Sequence, residues 1–333
     1  MRFPAAICAF FIYFALTAIA RADQPAKLIV AHGAISNNVA PLWIAREQGI
    51  FRKYGIDVDL VFIIAGRAAQ AMMAGQVAVS QIGATHVANA VIGGGDLTMI
   101  LGLQNKLDYL FIARPSIRSA EELKGKKVAI GTPAGSASLA TYVALDYFGL
   151  VPRRDNITLL GVGGVPERLA ALRAGTVDAT SLSPEFGQTV QGEGYRVLLD
   201  TGRENVPFQS SGLVISRKLL KSDPSLVENI AKAIIEGVAY IHHPANGKIV
   251  QQSLGKNLRL SKSEQIEKAY VELRKDLPRK PCPTLEGIAS VLKLMAQHGI
   301  NPKAAQLKPE DVADMSVCKK LDESGFFDHV YKQ

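Results

Sequence analysis

The sequence repeats itself at a spacing of one hundred residues. The stretch RAAQAMMAGQVAVSQIGA (67–84) has a counterpart in ERLAALRAGTVDATSLSP (167–184). Residues 27–84 and 127–184 share ten identical pairs in 58 aligned positions, where average composition predicts about four. Apolar runs and helix breakers also fall at matching positions, so the repeat predicts a duplicated structural unit.

Each copy has the pattern of alternating strands and helices. The apolar runs KLIVA (27–31) and KKVAI (126–130) are each followed by a Gly/Pro/Ser loop, which is typical of a buried strand. Apolar residues then recur at helical spacing, and Gly75 and Gly175 are expected at the end of a helix in each copy. A β-α-β-α-β order predicts an α/β fold with mostly parallel sheets and helices on both faces.

Two copies predict two lobes. The apolar runs 97–103 and 195–200 are expected to add a fourth strand to each lobe, and the extended segments 108–116 and 211–219 are expected to be the two hinge strands. From Ser222 onward, apolar residues at helical spacing predict helices with a structural role. The predicted organisation is a signal peptide at 1–22, the first part of lobe 1 at 23–112, lobe 2 at 113–211, and a return to lobe 1 with C-terminal helices at 212–333.

The first twenty-two residues have the features of a secretory signal peptide. Arg2 precedes an apolar run, Phe3–Ala20, and the sequence ARA ends at Ala22. We expect cleavage after Ala22 and a periplasmic protein; the alternative is an uncleaved membrane anchor, because the run is eighteen residues long. Loss of Arg2 and Arg21 would lower the formal net charge from +8 to +6.

Composition excludes several classes of protein. Hydrophobic residues make up 48% of the chain and charged residues 20%, which is ordinary for a globular protein. The sequence has no basic stripe interleaved with aromatic residues, so no nucleic-acid partner is expected. It also has no zinc spacing, and neither a metal nor a cofactor is expected. Cys282 and Cys318 would remain after cleavage, either as a disulfide or as two buried thiols.

The candidate site lies where the predicted parallel strands end. Ligands of such sheets bind beyond the carboxyl ends of the strands, where helix N-termini present free N–H groups. Four polar loops occupy these positions, at 32–38, 83–87, 132–138 and 183–187. The residues predicted to bind a ligand are Ser36, Asn37, Asn38, Gly83, Ala84, Thr85, His86, Gly135, Ser136, Ala137, Ser138, Ser183, Glu185 and Phe186.

The loop at Gly135–Ser138 is the most informative of the four. Its small residues lead into a helix, so backbone N–H groups and hydroxyls are available to a carboxylate, a sulfonate or a ring acceptor. The alternative is that Ser136 or Ser138 only caps the helix. His86 and Glu185 offer a donor and an acceptor in equivalent loops; the alternative is that each is a solvated or capping residue.

Catalytic motifs are missing from the sequence. The stretch GVGGVPE (161–167) follows a predicted strand, but Pro166 stands where a dinucleotide site needs Gly or Ala. The sequence also lacks a P-loop and a G-x-S-x-G elbow. It therefore predicts a binding protein and no catalytic residue.

The chain resembles the type II periplasmic solute-binding proteins of ABC importers, the NitT/TauT-type and SsuA/THI5-like proteins for nitrate, sulfonates, taurine and thiamine-pyrimidine precursors. The resemblance is carried by APLWIAREQGIFRKYGIDVDL (40–60), AMMAGQVAVSQIGA (71–84), EELKGKKVAIGTPAGSAS (121–138) and RLAALRAGTVDATSLSP (168–184). One departure is Ser183–Phe186, where many relatives have an aromatic-acidic-Pro-aromatic string.

The resemblance implies two lobes that close over a small molecule and deliver it to an ABC permease in the inner membrane. The expected ligand is a small anion or a polar heterocycle, and the expected state is a monomer. Two alternatives remain open: an exported sensor that hands its closed form to a signalling partner, and an enzyme similar to the pyrimidine-precursor synthase.

Overall fold

The computed structural model describes residues 26–132, 135–204 and 206–332. The predicted signal peptide and its cleavage site after Ala22 lie outside these residues. The strands of the described chain are β1 (Ala26–His32), β2 (Ile56–Phe62), β3 (Val79–Ile82), β4 (Leu97–Lys106), β5 (Leu110–Ala113), β6 (Lys127–Ile130), β7 (Thr158–Gly161), β8 (Ala179–Leu182), β9 (Arg196–Asp200) and β10 (Pro207–Ser216).

The strands form two five-stranded sheets of matching topology. The first sheet has the order β2-β1-β3-β10-β4 and the second has the order β7-β6-β8-β5-β9. In each sheet the first three strands are parallel, and one antiparallel strand lies between the third and the last. The predicted α/β class with mostly parallel sheets is confirmed. The repeat is also confirmed, since β3 and β8 lie one hundred residues apart.

Helices cover both faces of the sheets. Their bounds are α1 (Ala40–Glu47), α2 (Ile50–Lys53), α3 (Ala65–Met73), α4 (Ala84–Ile92), α5 (Ser136–Tyr147), α6 (Val165–Ala174), α7 (Pro184–Gln191), α8 (Arg217–Ser222), α9 (Pro224–His242), α10 (Gly247–Leu258), α11 (Ser263–Asp276), α12 (Leu285–Gln297), α13 (Pro309–Val312), α14 (Ser316–Glu323) and α15 (Phe326–Val330). Short 3₁₀ turns lie at Asn37–Val39, Glu121–Leu123, Pro244–Asn246 and Pro302–Gln306.

Two glycines end the equivalent helices of the repeat, as the sequence predicts. Gly75 follows α3 and Gly175 follows α6, with φ angles of 72° and 71°. This left-handed conformation is strained for residues with a Cβ atom. The chain can therefore turn directly from each helix into β3 or β8.

The chain crosses between the sheets twice. The crossings lie between β4 and β5 and between β9 and β10, and Thr201 joins them: its Oγ1 donates to the Leu107 carbonyl at 2.8 Å and accepts from the Tyr109 N–H at 3.0 Å. The expected hinge strands, 108–116 and 211–219, instead lie largely within sheets, because β5 and β10 are buried between two neighbours each. The chain passes from one sheet to the other before the lobe boundaries expected at 112/113 and 211/212. The extent of each lobe stays a prediction.

The C-terminal helices complete the first half of the molecule and reach the second. α9 packs on α1 and α2, α12 packs on β10, and α11 packs on α7 of the second sheet. The apolar residues of α11 and α7, including Tyr270, Leu273 and Phe186, belong to one buried cluster. The helices predicted to be structural therefore also form a contact between the two halves.

A disulfide joins Cys282 and Cys318, with 5.7 Å between the Cα atoms. It links the segment before α12 to α14, and of the two alternatives for these cysteines the structure contains the bonded one. Among the described helices, none combines the length and the apolar character that a membrane span requires.

Candidate functional site

The four predicted loops converge on one cavity between the two sheets. The cavity has a volume of about 110 Å³ and is lined by residues of both halves of the molecule. Five helices begin at its wall, and their N-cap residues, Ile64, Gly83, Gly135, Gly164 and Ser183, all line it. In the described part of the chain, no side chain of these five N-cap residues accepts a hydrogen bond from the first turn of its helix. The positive ends of several helix dipoles therefore face the cavity.

Nine of the fourteen predicted residues line the cavity: Ser36, Asn37, Asn38, Gly83, His86, Gly135, Ser136, Ala137 and Ser183. The other five lie behind the lining: Ala84, Thr85, Ser138, Glu185 and Phe186. All five lie in the first turn of α4, α5 or α7. Whether any of the fourteen contacts a ligand stays a prediction.

The hydroxyls after Gly135 do not cap α5. Gly135 is the N-cap residue, Ser136 Oγ donates to the Ser210 carbonyl at 3.0 Å, and Ser138 Oγ donates to the Thr132 carbonyl at 2.6 Å. The alternative that either serine caps this helix is therefore wrong. Ser136 instead connects the second sheet's helix to β10 of the first sheet.

A second hydrogen bond also crosses between the halves. The Asn37 N–H donates to Glu185 Oε1 at 3.1 Å, and Glu185 is 4% exposed. Burial raises the pKa of Glu185, and the hydrogen bond from the Asn37 N–H opposes the rise. Ser136 and Glu185 therefore hold the two walls of the cavity against each other.

The backbone at Gly83 closely approaches β10 and α5 beside these contacts. A Cβ atom at Gly83 would lie 2.7 Å from the Ser210 carbonyl oxygen and 3.1 Å from Ser136 Oγ. Glycine at this position lets the first turn of α4 approach both β10 and α5.

Arg168 is the most informative side chain of the cavity, and it was not among the residues predicted from the sequence. It lies on α6, is 3% exposed, and lines the cavity. Its Nη1 donates to the Gly163 carbonyl at 2.6 Å and its Nη2 donates to the Ser181 carbonyl at 3.2 Å. Nε has no partner in the described chain, and no described carboxylate forms an ion pair with the guanidinium.

Burial lowers the pKa of Arg168 to about 10, so the side chain is still a cation at neutral pH. A buried cation without a paired anion is costly. The helix N-termini around it repel a cation, so they do not offset this cost. A bound anion would offset it, and the cavity is therefore suited to a negatively charged group.

His86 lines the first-sheet side of the cavity. It is 7% exposed, and its ring makes no hydrogen bond to a described residue. Burial lowers the pKa of His86 to about 4, so the imidazole is neutral above pH 5. A neutral imidazole offers a ligand one donor and one acceptor.

Two glutamines were also missed. Gln81 Nε2 donates to the Asn38 carbonyl at 3.0 Å and to Ser211 Oγ at 2.9 Å, and Gln104 Oε1 accepts from Asn38 Nδ2 at 2.6 Å. Both line the cavity. The sequence signal for Gln81 is a polar residue inside a short strand that is buried throughout.

The sequence signal for Arg168 is a charge on the buried face of a helix. Leu169 and Leu172 of α6 are buried, and Arg168 lies beside them where the first copy of the repeat has the buried Ala68. A comparison of the two copies position by position would have singled out this substitution.

A buried acid lies next to the first crossing. Asp108 is 8% exposed, and burial together with the neighbouring Asp276 carboxyl raises its pKa to about 8, while Lys106 opposes the rise. Lys106 Nζ lies 2.5 Å from Asp276 Oδ1. Asp108 is therefore protonated in the folded protein at neutral pH.

The raised pKa predicts a pH dependence of stability. An acid whose pKa is higher when folded stabilises the fold below its unfolded pKa, near 4, and this contribution disappears as the pH rises through about 8. We expect Asp108→Asn to match the wild type in melting temperature only below about pH 4 and to exceed it by at least about 2 °C at pH 9. Asp200→Asn, at a more exposed site, is the control. Parallel melting curves for Asp108→Asn and the wild type from pH 5 to 9 would contradict this assignment.

Comparison with known proteins identifies the family and the fold of the chain. The NMT1/THI5-like family model matches residues 36–246. No curated protein matches the chain in sequence. The structure is similar to the periplasmic nitrate-binding protein NrtA from Synechocystis PCC 6803, with a TM-score of 0.76 and 15% identity over 90% of this chain and 89% of that one.

Two further solved structures share the fold. The alkanesulfonate-binding protein SsuA from Xanthomonas axonopodis pv. citri, bound to MOPS, has a TM-score of 0.69 and 18% identity over 84% of this chain and 96% of that one. The desulfurization enzyme DSZB has a TM-score of 0.63 and 14% identity over 90% of this chain and 99% of that one. Binding proteins and an enzyme thus share this fold. Because the family model covers more than half of the chain, the protein belongs to the NMT1/THI5-like family, and its two-sheet architecture is that of the periplasmic solute-binding proteins.

Proposed function

We propose that this chain is an exported solute-binding protein that captures a small anion between its two halves and delivers it to an ABC importer. The observation that carries the proposal is the buried Arg168 guanidinium without a carboxylate partner, in a cavity where five helix N-termini meet. The signal peptide predicted at 1–22 supports export. The names of the nitrate-binding and alkanesulfonate-binding structures support the class of ligand and the transport role.

The proposed mechanism is closure of two lobes on the ligand. Each sheet with its helices moves as one lobe, and the crossings between β4 and β5 and around Thr201 act as the hinge. The ligand contacts both lobes only when they are closed, so its binding shifts the population towards the closed form. The Asn37–Glu185 and Ser136–Ser210 hydrogen bonds form only in that closed form and add to its stability.

Small-angle scattering of the mature protein tests the proposal. We expect the radius of gyration to decrease on saturation with a member of a solute panel that contains sulfonates, carboxylates, inorganic anions, pyrimidines, sugars and amino acids. If a panel member binds without any decrease, the closure mechanism is wrong. If no anion of the panel binds, the proposed function is wrong.

Variants of the crossing hydrogen bonds test the closure step. We expect Ser136→Ala combined with Glu185→Gln to weaken ligand binding by about tenfold, because two hydrogen bonds of the closed form, each worth about 1 kcal/mol, are weakened or lost. The melting temperature of the ligand-free protein should change little. Thr189→Val, which removes a hydrogen bond within α7 alone, is the matched control. Equal affinities for the double variant and the wild type would contradict the closure role.

A further inference from the structure

The fixed charge at the wall of the cavity is positive. Among the described residues that line the cavity, Arg168 is the sole permanently charged side chain, and no aspartate or glutamate lines it. A ligand inside the cavity therefore meets one fixed positive charge and no fixed negative charge.

The exposed Glu167, whose carboxylate lies beside Gly164, does not line the cavity. Two buried carboxyl groups near the cavity are not available to a ligand either. Glu185 lies behind Asn37, with Oε1 accepting the Asn37 N–H, and burial already disfavours its charged form. Asp108 is buried beside Lys106 and Asp276. Neither carboxyl group lines the cavity.

The rest of the wall is neutral. Phe62, Ile64 and Val165 supply apolar surface, while His86 and Gln81 supply neutral polar groups. Neutral groups of this kind bind an uncharged ligand body and leave an ammonium group without a compensating charge.

We propose that the site selects monoanions with an uncharged body and rejects zwitterions that carry the same anionic group and a protonated amine. The proposal rests on the proposed function and narrows its ligand class. The anionic group lies at Arg168 and the surrounding helix N-termini. An amine at the other end of the ligand would be buried without a carboxylate. An unpaired buried charge is costly, so this burial would weaken binding of the zwitterion relative to the monoanion.

Matched ligand pairs test this selectivity. Calorimetry would compare 1-propanesulfonate with 3-amino-1-propanesulfonate, butyrate with 4-aminobutyrate, and benzoate with 4-(aminomethyl)benzoate. We expect the amine to weaken binding at least about 100-fold in each pair that binds. Equal or tighter binding of the amines would overturn the proposal.

A single isosteric substitution provides the converse test. Gln104 lines the cavity and uses Oε1 to accept from Asn38, a contact that a glutamate oxygen would keep. We expect Gln104→Glu to shift the ratio of affinities towards the amine by at least about tenfold. Gln48→Glu, on the surface near Tyr240, should leave the ratio unchanged. An unchanged ratio in Gln104→Glu would count against the proposed ligand position.

Failure of this inference differs from failure of the proposed function. If the protein closes on a zwitterion as tightly as on the matched monoanion, capture of an anionic group stands and the selectivity is wrong. If it closes only on an uncharged solute such as a sugar, the proposed anion and the selectivity are both wrong. If no member of the solute panel binds, both are wrong.

Discussion

Replacing Arg168 with methionine is expected to lower the affinity for an anionic ligand at least about 100-fold. Hydrogen bonds between charged partners contribute about 1.5–3 kcal/mol each, and 1.4 kcal/mol corresponds to a factor of ten. The guanidinium is the sole cation among the described lining residues, so no neighbour can take its place. Titration calorimetry of the wild type and the variant with the tightest anion of the solute panel measures the effect.

The stability of this variant should change much less than its affinity. Arg168→Met loses two hydrogen bonds to the Gly163 and Ser181 carbonyl groups, but it also removes the cost of burying an unpaired charge. Arg173→Met is the matched control, because Arg173 lies on the same helix and pairs with the surface residue Glu193. If Arg168→Met binds the anion as tightly as this control, Arg168 has only a structural role.

Removal of the disulfide is expected to have the largest effect on stability. The cross-link closes a loop with a sequence separation of 36, for which loop entropy predicts a loss of about 4 kcal/mol in the free energy of unfolding. We expect Cys282→Ser with Cys318→Ser to unfold at a clearly lower urea concentration than the wild type. The denaturation midpoint and slope from a urea titration give the change in free energy.

A reducing agent provides the control for this variant. Reduction should shift the unfolding curve of the wild type towards that of the double variant and leave the double variant unchanged. Identical curves for the oxidised wild type and the double variant would show that the bond contributes nothing to stability.

The repeat made most of the two sheets predictable. The strands β1, β3, β6 and β8 and the glycines after α3 and α6 follow from local pattern, because buried strands and helix ends depend on neighbouring residues. The positions of β5 in the second sheet and of β10 in the first were predicted only as two crossings between lobes. The bounds predicted for these crossings differ from those in the structure. Strand partners are set by contacts between distant segments, which local pattern does not contain.

The candidate site was predictable in its loops and less so in its charges. The rule for parallel sheets located four loops, and Ser136 and His86 lie at the cavity as expected. Arg168 was missed because its charge lies within an otherwise ordinary amphipathic helix. Gln104 and Ser210 were missed because they lie on strands next to the crossings, outside the loops that the rule selects.

The return of β10 to the first sheet has a consequence for the order in which the chain can fold. The second sheet consists of strands that are continuous in sequence, from Leu110 to Asp200, whereas the first needs β10 to fill the gap between β3 and β4. During synthesis, residues up to Ser216 must emerge before that gap can be filled. The half that begins first is therefore completed last, and until then β3 and β4 have unpaired edges that invite aggregation.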